Sequence, residues 1–205
     1  MTETTAAPTP AWDVVASRIT RIQHGYLNDR SDSVAALARL RRAAGKEPGA
    51  VFDIFEHTLA EEFSHGWNRE EVSYEEAAAH HAMTLYAVHQ QSSRTGMHQP
   101  GARLGRSIRK LHTGDSIKPT DPIARRFTML GTSGDFRELT HHLRGVVQLL
   151  RAARVPLDYG LLTRQLITWQ HVGGPDRVRP IWGRDFHLAP AKPQPQTDSK
   201  QNTRD

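Results

Sequence analysis

Apolar residues recur at intervals of three and four positions along most of the chain, which is the spacing of one face of an α-helix. Runs of β-branched residues, which favour strands, are few. The pattern therefore predicts an all-α protein, a compact helical bundle with helices over residues 11–23, 33–44, 50–64, 73–92, 101–111, 135–154 and 157–171 and a further helix that starts at residue 121. The segment VRPIWGRDFHL (178–188) supplies aromatic residues that we expect to close the bundle.

Local signals mark several helix starts. Ser73 and Glu76 have the spacing of a capping box, in which each side chain satisfies a backbone amide of the first turn. Asp121 followed by Pro122 is typical of an N-cap and a first helical residue. Asp135, at the end of GTSGD, is the expected N-cap of the longest helix. The boundaries of these helices are thus predicted from residues close to them in the sequence.

Two segments carry definite predictions about which side chains point inward. Residues 50–64 are predicted as one helix whose inward face consists of Val51, Phe52, Phe55, Leu59 and Phe63. The helix over 135–154 has an apolar stripe made of Phe136, Leu139, Leu143, Val146, Val147 and Leu150. A different face of that helix carries cations at Arg137, His141, Arg144 and Arg151. Such a helix can pack on a core and still present cations to solvent.

The chain is predicted to form two packed helical subdomains between disordered tails. Residues 1–10 and 189–205 are polar and proline-bearing without periodicity, which is typical of disorder. The loop that begins at residue 114, ahead of the helix start at Asp121, is the expected boundary. It separates an N-terminal subdomain, 11–113, from a C-terminal subdomain, 114–188.

Composition excludes several classes of protein. The 205 residues include no cysteine, which excludes disulfide scaffolds, thiol nucleophiles and cysteine-ligated metal sites. No window approaches the roughly 18 consecutive apolar residues that a membrane span needs. The N-terminus lacks the basic start and apolar centre of a secretory signal, so we expect a cytoplasmic protein.

Charge is distributed unevenly along the chain. The formal net charge is +5, but residues 53–76 contain eight acidic and one basic side chain, whereas residues 91–154 contain twelve basic and four acidic ones. An acidic segment followed by a basic one indicates one surface for water or a protein neighbour and another for a polyanion.

Motifs for catalysis are missing from the sequence. The adjacent pairs His80-His81 and His141-His142 cannot both face one ion, because neighbouring helical residues point about 100° apart. The chain contains no HExxH, GxSxG, phosphate loop or GxGxxG motif. We therefore predict no catalytic residue, no metal site and no cofactor.

The arginines recur at helical spacing rather than in a single run. They lie along four predicted helices, at Arg39, Arg41 and Arg42, at Arg103, Arg106 and Arg109, at Arg125 and Arg126, and at Arg137, Arg144 and Arg151. If they converge they form a groove that can follow a phosphate backbone. The alternative is that each is a solvated helix face or a surface ion pair. No zinc finger, RNP motif or convincing helix-turn-helix is present, so the sequence by itself predicts at most a non-specific nucleic-acid binder.

Four strings, taken together, resemble the CasB family, the small subunit of the type I-E CRISPR interference complex, Cascade. They are TLYAVHQQS (84–92), LGRSIRKL (104–111), the run from FTML to TWQ (127–170) and WGRDFH (182–187), and they occur in the family's order. The resemblance covers residues 12–188. The segment DFRELTHHLRG is its strongest part.

The resemblance implies a non-catalytic, all-helical subunit of a ribonucleoprotein complex for antiviral defence. It implies contacts with a second copy of the chain, with the Cascade backbone and large subunits, with guide RNA, and with target DNA including the displaced strand. R-loop formation is nearly balanced in energy, so a subunit that holds the displaced strand stabilises it. Phosphate contacts suffice, because base pairing already determines the sequence that is recognised.

The site residues implied by the resemblance are the arginines within its strings. They are Arg41, Arg42, Arg106, Arg109, Arg125, Arg126 and Arg144, with Arg137 and Arg151 as weaker candidates. Arg184 lies among Trp182, Asp185 and Phe186, which favours a structural role. Arg94 and Arg103 lie in a region without a match.

Two other functions stay open at this stage. One is a metal-dependent phosphohydrolase or nuclease that uses histidines with Asp53, Glu56 or Asp121. The other is a free-standing helical DNA-binding regulator, which would have a sequence-preferring footprint.

Overall fold

The computed structural model describes residues 9–64, 70–114 and 116–188. Within these ranges the chain forms nine α-helices: α1 Ala11–Leu27, α2 Ser31–Ala43, α3 Phe55–Thr58, α4 Tyr74–Gln90, α5 Leu104–Arg109, α6 Pro122–Gly131, α7 Phe136–Ala152, α8 Tyr159–Gln170 and α9 Gly174–His187. The same ranges contain no β-strand, only one isolated parallel bridge between His98 and Leu157. The prediction of an all-α protein is confirmed. None of the described helices is both long and apolar enough to cross a bilayer.

Helix α4 lies at the centre of the bundle. It packs against α1, α2, α7 and α8, and its buried positions run almost without interruption from Ala77 to Gln90. Alanines at several of these positions allow neighbouring helices to approach closely, because they add little volume to the contact. The helix begins at the predicted capping box: Ser73 Oγ accepts from the Glu76 amide, and the Glu76 carboxylate accepts from the Ser73 amide, both at 3.0 Å.

The hydrophobic core includes helices from both sides of the loop that begins at residue 114. Helix α1 packs against α8, and α5 packs against α9. Buried residues of all these helices belong to one cluster. The division into subdomains 11–113 and 114–188 stays a prediction. The predicted disordered tails lie outside the described residues, except for residues 9 and 10.

The prediction of one helix over residues 50–64 is wrong. The segment folds instead as a 3₁₀ turn, Phe52–Ile54, the single-turn helix α3, and a second 3₁₀ turn, Glu61–Phe63. Phe52 is 83% exposed, whereas Ile54 is buried. The helix stops because Arg18 donates to the carbonyls of His57 and Leu59 at 2.7 and 2.8 Å, replacing the bonds that a longer helix would have made.

The closing aromatic segment forms most of α9, and its aromatic residues are buried in the bundle, as predicted. Trp182 and Phe186 are fully buried. Trp182 stacks on Trp169 with ring centroids 5.5 Å apart, and its indole N–H donates to Gln165 at 2.8 Å. Asp185 is also buried. The segment that contains Arg184 is therefore a structural plug, while the Arg184 side chain itself is exposed.

Helices α5 and α9 touch backbone to backbone at Gly105. A Cβ at this position would overlap the Trp182 carbonyl oxygen, and it would lie 2.7 Å from Asp185 Cβ and 2.9 Å from the Phe186 amide nitrogen. Because two of these three atoms belong to the backbone of a packed helix, they cannot move aside as a flexible side chain would.

We expect Gly105→Ala to lower the free energy of unfolding by roughly 2–3 kcal/mol, because the added methyl group forces α5 away from α9. Gly183→Ala is the matched control, since a Cβ at Gly183 in α9 meets nothing within 4 Å. That control should be neutral or stabilising by about 0.5–1 kcal/mol. Urea unfolding of both variants measures the difference, and equal effects would contradict the close approach at Gly105.

A buried polar network links α4 to α8. His89 Nδ1 lies 3.0 Å from the Tyr159 hydroxyl, and both residues are fully buried. Burial lowers the pKa of His89 to about 4. The imidazole is therefore neutral at pH 7 in the folded protein, whereas in the unfolded chain it gains a proton near its ordinary pKa of 6.5.

This pKa shift predicts a loss of stability in acid. The folded state binds the proton less readily than the unfolded state, so the stabilisation is complete above about pH 6.5 and is lost as the pH falls towards 4. From pH 7 to pH 5 the loss assigned to His89 is about 2 kcal/mol. His89→Gln keeps a polar group but does not titrate, and urea unfolding at the two pH values should give a smaller difference for it. An unchanged difference would count against a neutral buried His89.

Candidate nucleic-acid interface

Helix α7 carries Arg137 and Arg144 outside the apolar stripe that packs on the core. Asp135 is the N-cap, as predicted, and accepts from the Glu138 amide at 2.7 Å. The apolar stripe from Leu139 to Leu150 is buried against α4 and its neighbours. Arg137, with its side chain 89% exposed, and Arg144 remain on the outer surface. The amphipathic pattern of the sequence therefore orients this helix.

Arg144 also fastens α7 to the end of α2. Its guanidinium donates to the Ala44 carbonyl at 3.0 Å. The carbonyl lies at the negative end of the α2 dipole, where a cation is favourable. The chain can approach so closely because the next residue, Gly45, has φ of +85° and no Cβ, and a Cβ there would overlap the guanidinium. Arg41 belongs to this last turn of α2.

Arg126 places a cation of α6 against α7. Its guanidinium lies against α7 at Gly145, the residue after Arg144, 3.6 Å from the position that a Cβ would occupy. Within the described ranges, Arg41, Arg125 and Arg126 make no hydrogen bond or ion pair through their side chains. Arg125 and Arg126 are exposed. We call Arg125, Arg126, Arg137 and Arg144 the α6–α7 basic surface.

A cleft of about 490 Å³ opens beside this surface, between α4 and α7. Residues 45–48, which follow α2, close one side of it. Among its lining residues are Lys46, Ala77, His81, Phe136, Arg137 and Arg144. Burial lowers the pKa of His81 to about 3, so its imidazole is neutral at pH 7 and the cations at the rim are Lys46 and the two arginines.

The acidic segment neutralises part of α2. Arg42 pairs with Asp53 at 3.1 Å, and Arg39 pairs with Glu56 at 2.8 Å. Both pairs are largely exposed, so each contributes little to stability and a phosphate can replace the carboxylate. Arg42 is therefore placed on the surface, but beside a carboxylate of its own chain.

Arg106 is engaged at the α5–α9 contact. The buried Asp185 carboxylate accepts from Arg103 Nε at 2.6 Å and lies 3.5 Å from Arg106 Nε. Arg109 donates to the Gly114 carbonyl at 3.3 Å. The third predicted arginine of α7, Arg151, is partly buried and donates to the Gln91 carbonyl at 3.2 Å.

The structure thus divides the nine predicted arginines into three groups. Four of them share the α6–α7 basic surface, Arg41 lies in the turn of α2 that Arg144 caps, and the other four contact carbonyls or carboxylates elsewhere. Lys46 and His81 were not among the predicted residues. Lys46 could have been predicted from the sequence, because it follows Gly45 directly after a helix. No residue near His81 in the sequence indicates that His81 lines a cleft.

The histidines do not gather into one cluster in the described part of the chain. The described residues contain no group of three His, Cys, Asp or Glu side chains arranged to hold a metal ion. His57 lies 3.3 Å from Glu56, and His112 lies 3.7 Å from Asp121, but each is an isolated pair. Burial lowers the pKa of His57, His80 and His98 as well.

Comparison with known proteins gives a consistent result. The family model of CRISPR-associated protein Cse2 matches residues 36–187. The crystal structure of CasB from Thermobifida fusca is 39% identical, covers 88% of this chain and 99% of that chain, and superposes with a TM-score of 0.74. A chain of a CRISPR RNA-guided surveillance complex matches at 21% identity, over 87% of this chain and 94% of that one, with a TM-score of 0.65, which shows a shared fold. No curated protein sequence matches.

The contacts of Asp185 predict unequal roles for its two arginines. Arg103→Gln should lower the free energy of unfolding by about 1–3 kcal/mol, because it leaves a buried carboxylate without its short charged partner. Arg106→Gln removes only the longer contact of a more exposed side chain and should cost less than about 1 kcal/mol. Urea unfolding tests the order, and a larger loss for Arg106→Gln would contradict it.

Proposed function

This chain belongs to the CRISPR-associated Cse2 family, and from that membership we propose that it is the non-catalytic small subunit of a type I-E RNA-guided surveillance complex. In this role it binds nucleic acid without sequence preference and stabilises the R-loop and its displaced DNA strand. It works in the cytoplasm beside a second copy of itself, the backbone and large subunits, guide RNA and target DNA.

The α6–α7 basic surface is the observation that carries this proposal. Its four arginines come from two adjacent helices, and the guanidinium of Arg126 on α6 lies against α7 at Gly145. Arginine guanidinium groups contact phosphate oxygens through paired N–H donors. A surface that offers cations but no set of base-reading side chains binds a strand through its backbone.

Energetic balance explains why a modest cationic surface is useful here. The guide–target duplex is about as stable as the DNA duplex that it replaces, so small contributions from protein contacts decide whether the R-loop persists. Each phosphate contact releases condensed counterions and favours binding without regard to sequence. A subunit that holds the displaced strand in this way also opposes its return to the duplex.

The other predicted arginines rank below this surface. Arg41 and Arg42 lie on the neighbouring end of α2, and Arg42 must exchange Asp53 for a phosphate. Arg106, Arg109 and Arg151 already contact the Asp185 carboxylate, the Gly114 carbonyl and the Gln91 carbonyl, respectively. They contribute to the strand-binding surface only through the donors that remain available, so we expect smaller effects from their removal.

The first experiment compares DNA binding and R-loop formation by the guide-loaded complex with and without this subunit. A second preparation carries Arg126→Gln and Arg144→Gln together. We expect omission to weaken R-loops, and we expect the double variant to assemble but to bind DNA less tightly. Its plot of log affinity against log salt should be shallower by about 0.7–0.9 for each phosphate that the variant no longer neutralises.

Arg177→Gln is the matched control, since Arg177 is exposed on α9, outside the basic surface. It should leave both affinity and salt dependence unchanged. Failure of the wild-type subunit to join the complex would overturn the proposed function. Assembly and DNA binding of the double variant at wild-type level would overturn the choice of the α6–α7 surface, and a changed base preference would contradict binding through phosphates.

A further inference from the structure

The cleft between α4 and α7 contains aromatic and apolar side chains that phosphate binding alone does not require. Three cations line it, Lys46 from the segment after α2 and Arg137 and Arg144 from α7. Its interior is lined by aromatic and apolar groups, including Phe136 and His81, whose ring centroids are 5.5 Å apart in an edge-on arrangement. An anion bound by these cations would therefore lie beside a space that is lined by both aromatic or apolar and polar side chains.

His81 is a titratable side chain that packs among the aromatic residues of this interior. The ring packs edge-on against His80 and Phe136, but neither of its nitrogens makes a hydrogen bond within the described part of the chain. Because burial keeps the imidazole neutral, it offers one N–H donor and one acceptor to whatever enters the cleft. The ring is only partly buried, and its nitrogens are not sealed off from solvent, so they are available to a ligand that enters the cleft.

We propose that this cleft takes one unstacked nucleotide of a single strand, with its base against Phe136 and His81 and its phosphate between Arg137, Arg144 and Lys46. The inference rests on the proposed function and deepens it. The proposed function assigns this surface to the phosphates of a strand, and the inference adds a site for one of its bases.

Three features favour this ligand over others. The volume of about 490 Å³ is within the range of pockets that hold small ligands. A duplex keeps its bases stacked, so only an unpaired base can enter. An aromatic wall accepts the π face of any base, which agrees with binding that lacks sequence preference. One carboxylate, Glu47, lies 3.7 Å from Arg137, but both side chains are highly exposed, so a phosphate can displace it.

A variant that fills the cleft tests base binding separately from phosphate binding. Ala77 lines the cleft from α4, and Ala77→Leu occupies the space without removing a charge. Ala152→Leu is the matched control, since Ala152 is exposed at the end of α7. Phe136→Leu is a second test that removes the aromatic face but keeps an apolar side chain. Thermal unfolding of each full-length variant verifies that it is folded.

The probes are a twelve-residue oligothymidylate and a twelve-residue strand of the same backbone without bases. The wild-type chain should bind the oligothymidylate at least about five-fold more tightly, the lower end of what base stacking provides. Ala77→Leu and Phe136→Leu should lose most of this preference while binding the abasic strand as the wild type does. Ala152→Leu should retain the preference.

The outcomes distinguish the two proposals. If Ala77→Leu and Phe136→Leu bind the oligothymidylate as tightly as the wild type, the cleft does not hold a base, although phosphate binding stands. If the wild-type chain binds neither strand, both this inference and strand binding by the free subunit fail. If free thymidine monophosphate binds as tightly as the oligothymidylate, and Ala77→Leu abolishes both, the cleft is a site for a free nucleotide and the strand proposal is overturned.

Discussion

The enclosure of α4 is the constraint on which the rest of this structure depends. A helix buried on nearly every side has few solvent-facing residues, so its neighbours must fit its surface. Alanines along α4 set the distance at which α1, α2, α7 and α8 can approach. Because α7 gives its apolar stripe to this contact, Arg137 and Arg144 remain exposed outside the stripe.

Carboxylates of the chain itself decide which arginines remain available to a ligand. The buried Asp185 holds Arg103 and Arg106, and the acidic segment supplies Asp53 to Arg42 and Glu56 to Arg39. No such partner contacts Arg125 or Arg126 within the described residues. Arg125 and Arg126 therefore remain available to a ligand, whereas Arg137 on α7 faces the exposed Glu47 carboxylate at 3.7 Å.

Burial also removes several histidines from the electrostatics of the surface. The pKa of His81 is lowered to about 3 and that of His89 to about 4, and the pKa values of His57, His80 and His98 are lowered in the same direction. These rings act as neutral hydrogen-bonding or packing groups at pH 7. The contribution of the arginines to the positive surface is thus independent of pH in the physiological range.

The sequence by itself determined the helices with strong periodicity, the capping box at Ser73, the N-cap at Asp135 and the resemblance to a family, because each depends on residues close in sequence or on ordered strings. It failed at residues 50–64, where side-chain bonds from Arg18 end the helix early. Only the tertiary structure decided which arginines contact a carboxylate or a carbonyl of the chain itself, and where a cleft opens. Arg103 reaches Asp185 across 82 positions and Arg144 reaches Ala44 across 100, and periodicity carries no information about contacts at such separations.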